Sequence, residues 1–294
     1  MRHRTLAAST PLVKLLDAGS SGRSFAFFYI TNECNLSCAH CSFQSSSRCK
    51  NTALEKNLLL RFLDEMRGIH DITITGGEPL LHPDFTAILS HAAGTASVVY
   101  VLTNGINLAG KKELGRLAQA RDTTALKRLL KKTLKGLPEN LHLFFPLDSF
   151  HLRAFRPFGF LLRGLVELAS EWNIRKDKPY IGFLSNEVSP EKSARLMQDF
   201  NAVPYCHVGT AMFSPWRSAR DICGWYQTHP VNRLPFPGGI YINHKGIYLN
   251  EASLLIDLRE GIETPLKIGS PGQTPEGRGQ LFSLYQRAMN RYRL

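Results

Sequence analysis

The sequence predicts an α/β fold on a parallel sheet or barrel, followed by a small α+β extension at the C-terminal end. Three observations carry that expectation. Short β-branched and aromatic runs alternate with segments of helical period, the pattern of successive βαβ units. Several of those runs end in Gly or Asn, residues that let a chain leave a strand and turn. A chain of 294 residues, 43% hydrophobic and 20% charged, can bury the core of one α/β barrel or of about two domains.

Residues 1–23 form an N-terminal segment that opens Met1-Arg2-His3-Arg4. Its apolar stretch is cut by Thr10, Pro11 and Lys14, so it lacks the clean apolar core of a secretory signal. Gly19-Ser20-Ser21-Gly22 then makes a turn, and Ser24 to Thr31 reads as the first strand. Leu58, Phe62, Leu63 and Met66 recur at helical spacing between Leu54 and Ile69. Ile72 to Thr75 is the second strand and runs into Gly76-Gly77; a short helix around Phe85 to Ala92 follows. Val98 to Leu102 is the third strand, closed by Asn104-Gly105. Leu141 to Leu147 and Tyr180 to Leu184 read as strands, with a helix from Leu161 to Glu171 between them. From about Tyr205 the alternation gives way to Pro- and Gly-rich sequence. Within it, Gly239 to Asn243 and Gly246 to Asn250 form a hairpin through His244-Lys245. The expected division is therefore 1–23, 24–204 and 205–294.

The net charge of +12 points to an acidic partner. Residues 110–136 alone hold nine basic side chains against Glu113 and Asp122. Leu126, Leu129, Leu130 and Leu134 share one helical face there, so the segment reads as a solvated amphipathic helix. The sharper reading is a docking site for an acidic leader peptide. Nucleic acid is the weaker partner, because no aromatic residue between 106 and 136 offers a stacking platform. No uncharged apolar run approaches the ~18 residues of a membrane span.

Six cysteines are too sparse for a secreted disulfide scaffold, and three crowd into eight positions. That pattern suits metal or redox chemistry in a reducing compartment, so a cytoplasmic location is expected. Cys34, Cys38 and Cys41 directly follow the first strand. Three thiolates on one loop can hold three corners of an iron–sulfur cubane and leave the fourth open. A Cys₃His zinc site is the alternative, although His40 lies between two of the cysteines and cannot easily turn inward with both. Spacing favours iron–sulfur; a zinc-bound nucleic-acid-binding module stays open at this point.

The CxxxCxxC motif of Cys34, Cys38 and Cys41 resembles the signature of the radical S-adenosylmethionine (radical SAM) enzymes. The resemblance continues in order, with Gly76-Gly77-Glu78-Pro79 at the end of the second strand and Thr103-Asn104-Gly105 at the end of the third. It covers roughly residues 24–200 and implies a partial (β/α)6 barrel with its site at the carboxyl ends of the strands. It further implies that Cys34, Cys38 and Cys41 ligate one [4Fe-4S] cluster, with S-adenosylmethionine on the fourth iron. His40 would pack near the adenine. Gly76, Gly77, Glu78 and Pro79 would meet the methionyl end, and Thr103 and Asn104 would contact the cofactor from the third strand. An external electron donor would reduce the cluster, and a 5′-deoxyadenosyl radical would abstract hydrogen from the substrate. Related members often have Ser-x-Asp after the fourth strand. Here Pro146 takes the Ser position, so Asp148 and Ser149 are what carries over. His151 is either a proton carrier or substrate contact at the barrel mouth, or a helix-start residue bonded to backbone.

Arg217 to Cys223, the hairpin and Leu266 to Gly269 resemble a reduced SPASM or twitch extension, which implies modification of a ribosomally made peptide. Asn250 stands where that extension would have a cysteine, and only Cys49, Cys206 and Cys223 remain outside the first motif. One cluster is therefore expected. A small-molecule or nucleotide substrate is the runner-up.

Overall fold

The computed structural model describes residues 9–19, 24–41, 43–175, 177–185, 187, 189–207, 239–248, 267–269, 284 and 286–287. Six strands run parallel: β1 (Phe25–Thr31), β2 (Asp71–Gly76), β3 (Val98–Leu102), β4 (Leu141–Pro146), β5 (Tyr180–Leu184) and β6 (Cys206–His207). The chain adds β7 (Gly239–Ile242), β8 (Ile247–Tyr248) and β9 (Lys267–Gly269). The sheet order is β6-β5-β4-β3-β2-β1-β7-β8-β9, an open sheet rather than a closed barrel. The two halves of the expected hairpin, β7 and β8, do pair antiparallel, but β7 also lies parallel to β1. The hairpin thus continues the barrel sheet past its first strand.

Strand alternation divides the sheet into two faces. Ala26, Phe28 and Ile30 of β1, Ile72 and Ile74 of β2, and Val99 and Val101 of β3 are fully buried on the outer face. Helices α2 (Lys56–Glu65), α3 (Phe85–Thr95) and α8 (Phe158–Trp172) bring apolar residues to the same core, among them Leu59, Phe62, Ala92, Leu161 and Leu165. Glu55 starts α2 by accepting the Asn57 and Leu58 N–H groups, so a carboxylate does the usual work of a Ser or Asp cap. An N-terminal helix, α1 (Pro11–Gly19), buries Leu12, Val13 and Leu16 in that core. The inner face is aromatic. One in-register row crosses it through Tyr180, His142, Tyr100, Thr73, Phe27 and Tyr241.

The β3–β4 connection carries three helices, α4 (Ile106–Ala109), α5 (Lys111–Ala120) and α6 (Thr123–Thr133). Leu126 and Leu130 of α6 are buried, and Gly164 of α8 admits Leu126, whose Cδ2 would lie 2.7 Å from an added Cβ. Two further helices among the described residues are α7 (Ser149–Ala154) and α9 (Pro190–Asp199). Arg217 to Cys223, Asn250, Leu266 and most of the Leu281 to Leu294 tail lie outside the described residues.

Two glycines make opposite predictions. An added Cβ at Gly77 would sit 2.3 Å from the Glu33 carbonyl oxygen, a backbone atom that cannot move aside. Gly77→Ala should lower the unfolding free energy by at least about 2 kcal/mol. Gly115, inside α5 with nothing within 4 Å, should gain about 0.5–1 kcal/mol on replacement by Ala. Urea denaturation of the two variants beside the wild type checks both signs.

Candidate active site

A cavity of about 280 Å³ opens at the carboxyl ends of the central strands. Cys34, Cys38 and Cys41 line it together with His40, Gly76, Gly77, Thr103, Asn104 and His151. Phe27, Tyr29, Phe43, Leu102, Phe144, Pro146 and Leu184 form an apolar wall. Among the described residues that line it there is no Lys, Arg, Asp or Glu.

The cysteine loop leaves β1 and folds back on residue 46. Cys34 N–H donates to the Ser46 carbonyl at 3.1 Å, and turns at Cys38–Cys41 and Cys41–Gln44 curl the intervening chain. N–H groups point at the sulfurs, with Leu36 N 3.4 Å from Cys34 Sγ and Ser45 N 3.4 Å from Cys41 Sγ. Burial pushes the Cys34 thiol up to about 12, against the Leu36 N–H, while the charges of Glu78 and Cys41 add to the rise. Burial raises Cys38 further, helped by Cys41, Asp148 and Cys34. The three free thiols converge on this cavity, and Cys34 and Cys38, both raised by burial and neighbouring charge, need a cation to become thiolates. A soft, three-thiolate donor set fits an iron–sulfur cluster with one open corner.

Gly76 and Gly77 let the end of β2 lie against the chain entering this loop. Gly76 has φ +141°, and a Cβ there would be 2.1 Å from the Thr31 carbonyl oxygen. Gly77 N–H donates to that oxygen at 2.7 Å, and Glu78 N–H to the Glu33 carbonyl at 2.8 Å. The Glu78 side chain turns away from the cavity and is fully buried. Its oxygens accept Thr103 Oγ1–H at 2.6 Å, Asn104 N–H at 2.8 Å and Leu80 N–H at 3.0 Å. Glu78 therefore ties the end of β2 to the end of β3. Pro79 follows it, buried at the start of a 3-10 turn.

After β4, Asp148 is fully buried and caps α7 by accepting the Phe150 and His151 N–H groups at 3.0 and 2.9 Å. His151 Nδ1 lies 2.8 Å from its Oδ2, and His40 Nε2 lies 3.8 Å away. Burial raises the Asp148 pKa, but the His151 hydrogen bond and the charges of His151 and His40 outweigh it and leave the carboxyl below its ordinary value. His151 occupies the first turn of α7 and also lines the cavity. His40 stacks on Phe150 with ring centroids 4.2 Å apart, and burial lowers its pKa against the pull of Asp148. This orientation faces His40 to Asp148. Ser149 is not at the cavity: its N–H donates to Glu187, and its Oγ accepts from Lys192 Nζ at 3.0 Å.

Neither Cys49 nor Cys206 lines the cavity. Cys49 Sγ lies 3.7 Å from Ser46 Oγ, and Cys206 stands on β6, where burial pushes its thiol up to about 11. Sequence reading missed the aromatic wall. The alternation of Phe25, Phe27 and Tyr29 within one strand is the period-2 signal that could have revealed it.

These features define an α/β sheet that presents a three-thiol cavity at its strand ends. Residues 28–129 match the Radical SAM superfamily, and this stretch of the chain is a radical SAM domain. A probable GTP 3′,8-cyclase of Pyrobaculum aerophilum is 26% identical over 163 residues, covering 49% of this chain and 53% of its own length. The antilisterial bacteriocin subtilosin biosynthesis protein AlbA of Bacillus subtilis is 37% identical over 81 residues, 27% of this chain and 18% of that protein. The chain thus spans about half or less of these curated relatives. The solved structure of BtrN in complex with AdoMet and 2-DOIA superposes with a TM-score of 0.47 at 13% identity, covering 92% of this chain and 85% of that one.

Burial raises the Glu78 pKa to about 7 despite its three hydrogen bonds. A carboxyl raised in the folded state stabilises the fold fully below its unfolded value, and that contribution is lost as pH rises through about 7. Between pH 4.5 and 7.5 the wild type should therefore lose stability relative to Glu78→Gln. The expected difference is on the order of 3 kcal/mol, read from denaturation midpoints at the two pH values.

Proposed function

We propose that this chain is a radical SAM enzyme in which Cys34, Cys38 and Cys41 hold one [4Fe-4S] cluster and S-adenosylmethionine binds beside it. The convergence of three free thiols on one cavity, Cys34 buried and Cys38 and Cys41 partly so, carries the reading. When bound, the cluster and S-adenosylmethionine, with an electron from an external donor, supply hydrogen abstraction from an unactivated position. The chain's own residues orient and enclose. Gly76 and Gly77 leave backbone room at the methionyl end, with Glu78 and Pro79 behind them as supports. Thr103 and Asn104 offer contacts from β3. The His40–Phe150 stack gives the adenine a flat neighbour, Asp148 fixes the His151 imidazole, and Ser149 holds the loop after β4 through Glu187 and Lys192. Phe27, Tyr29 and Phe144 would give the reacting carbon an apolar wall. His151, with Nδ1 on Asp148, can move a proton at its other ring nitrogen.

The substrate in this reading is an uncharged side chain of a ribosomally made peptide. An aromatic and aliphatic wall suits such a group. A small molecule or nucleotide is the second reading, favoured by the GTP 3′,8-cyclase relative. Residues 205–294 would form the reduced SPASM- or twitch-like extension of the 24–204 barrel.

The test is anaerobic reconstitution with iron and sulfide, reduction with S-adenosylmethionine present, and assay for 5′-deoxyadenosine. The wild type should take up about four irons and form the product. A triple Cys34→Ala, Cys38→Ala, Cys41→Ala protein should do neither. Product formed equally by both would end the proposal.

The basic helices add a docking surface for an acidic leader peptide. Lys127 and Lys131 are held by Glu171, the latter at 2.6 Å, and Arg116 by Glu113 at 2.6 Å. Arg121, Arg128, Lys132 and Lys135 make no ion pair among the described residues, which leaves them available. Reversing those four charges should weaken binding of a synthetic glutamate-rich peptide roughly tenfold or more in fluorescence anisotropy. Unchanged affinity would remove this surface from the proposal.

A further inference from the structure

Asn104 has its side-chain orientation fixed from both ends. Its Oδ1 accepts the Ile106 N–H at 3.0 Å, which turns the NH₂ group toward the cysteine loop. One contact of that NH₂ is Asn35 Oδ1 at 2.8 Å, and another is Cys34 Sγ at 3.8 Å. Asn35 in turn donates through Nδ2 to Asn107 Oδ1 at 2.9 Å. Three amides from α4, the cysteine loop and the end of β3 thus line up head to tail, and their last N–H points at a sulfur. Glu78 holds the Asn104 backbone N–H at 2.8 Å, so the final link is anchored on a buried post.

The three sulfurs differ in what they accept. Cys34 Sγ receives the Leu36 backbone N–H and the Asn104 side chain, and Cys41 Sγ receives the Ser45 backbone N–H. Cys38 Sγ receives no N–H among the described residues. As a thiol, Cys34 can also donate to Asn35 Oδ1, 3.9 Å away. As a metal-bound thiolate it can only accept, and the Asn104 amide is then its one side-chain donor among the described residues. An N–H aimed at a thiolate stabilises negative charge on it. Adding an electron to an iron–sulfur cluster adds such charge, so hydrogen bonds to the sulfurs raise the reduction potential.

We propose that Asn104, with Asn35 and Asn107 behind it, is a positioning relay that sets the electron affinity of the cluster held at Cys34. The inference rests on the cluster assignment above and adds a role for side chains that do not ligate iron. The long 3.8 Å contact implies a modest effect, and the relay would ease delivery of the electron without touching the substrate.

The experiment is an EPR-monitored redox titration of the reconstituted enzyme without S-adenosylmethionine, beside iron analysis. Asn104→Ser keeps a hydroxyl that can accept the Ile106 N–H but is too short to reach Cys34. Asn35→Leu breaks the middle link, and Asn107→Ala removes the exposed first one. Asn104→Ser should retain about four irons and lower the cluster's reduction equilibrium constant roughly threefold to tenfold; a tenfold change is about 59 mV for one electron. Asn35→Leu should shift it in the same direction, and Asn107→Ala least. Full iron with an unchanged or raised potential in Asn104→Ser and Asn35→Leu would overturn the relay and leave the cluster assignment standing. Should Asn104→Ser fail to load iron, Asn35→Leu and Asn107→Ala decide by the same criterion. A wild type that takes up no iron would overturn the cluster assignment itself, and the relay with it.

Discussion

The site depends on one close approach, the end of β2 against the chain leaving β1. At Gly76 and Gly77 an ordinary side chain would place its first carbon 2.1–2.3 Å from backbone carbonyls of Thr31 and Glu33. Because both positions lack that carbon, the Gly77 and Glu78 N–H groups can bond to those same carbonyls. The pairing fixes where the cysteine loop begins. One residue later, Glu78 reaches from this seam to Thr103 and Asn104, so the ends of three strands are set by a single contiguous network. The GGEP sequence is thus a structural hinge-pin in its own right. A side chain at either glycine would move the cysteines before it met any cofactor.

What was legible in the sequence was local. Strands with β-branched or aromatic runs stood out because their signal lies within five to seven residues, as in Val98–Leu102 and Tyr180–Leu184. The helix Pro11–Gly19 was not read, because Pro11 and Lys14 interrupt its apolar run and the stretch resembles a broken leader. Pro11 at the first helical position was the available sign. The parallel pairing of β7 with β1 had no local signal at all, since pairing between strands so distant in sequence is set by the assembled fold rather than by residues near either strand. The same holds for the site. Cys34, Cys38 and Cys41 announce themselves by spacing, whereas the meeting of His40, Phe150, His151 and Asp148 arises only once the loop after β1 faces the loop after β4. Ser149, next to Asp148 in sequence, turns to Glu187 and Lys192 instead, a divergence that one residue of helix rotation produces and no pattern reveals.

The two buried carboxylates beside the cavity show how donor type, rather than burial, divides their roles. Glu78 and Asp148 are both fully buried, and desolvation is the largest influence on each. Glu78 is met by neutral donors, a hydroxyl and two backbone N–H groups, and these offset only part of the cost, so its proton affinity rises. Asp148 is met by backbone N–H groups and by two imidazoles that can carry charge, and its affinity falls. Glu78 can therefore exchange a proton near neutrality without leaving its post between β2 and β3, acting as structure. Asp148 remains an anion that orients His151 and draws His40 toward the wall. The basic surplus of the chain stands apart from both, concentrated on α5 and α6, and leaves the cavity lined by thiols, imidazoles and rings. That separation places the positive field of the chain at its surface and leaves the cavity wall without Lys, Arg, Asp or Glu among the described residues.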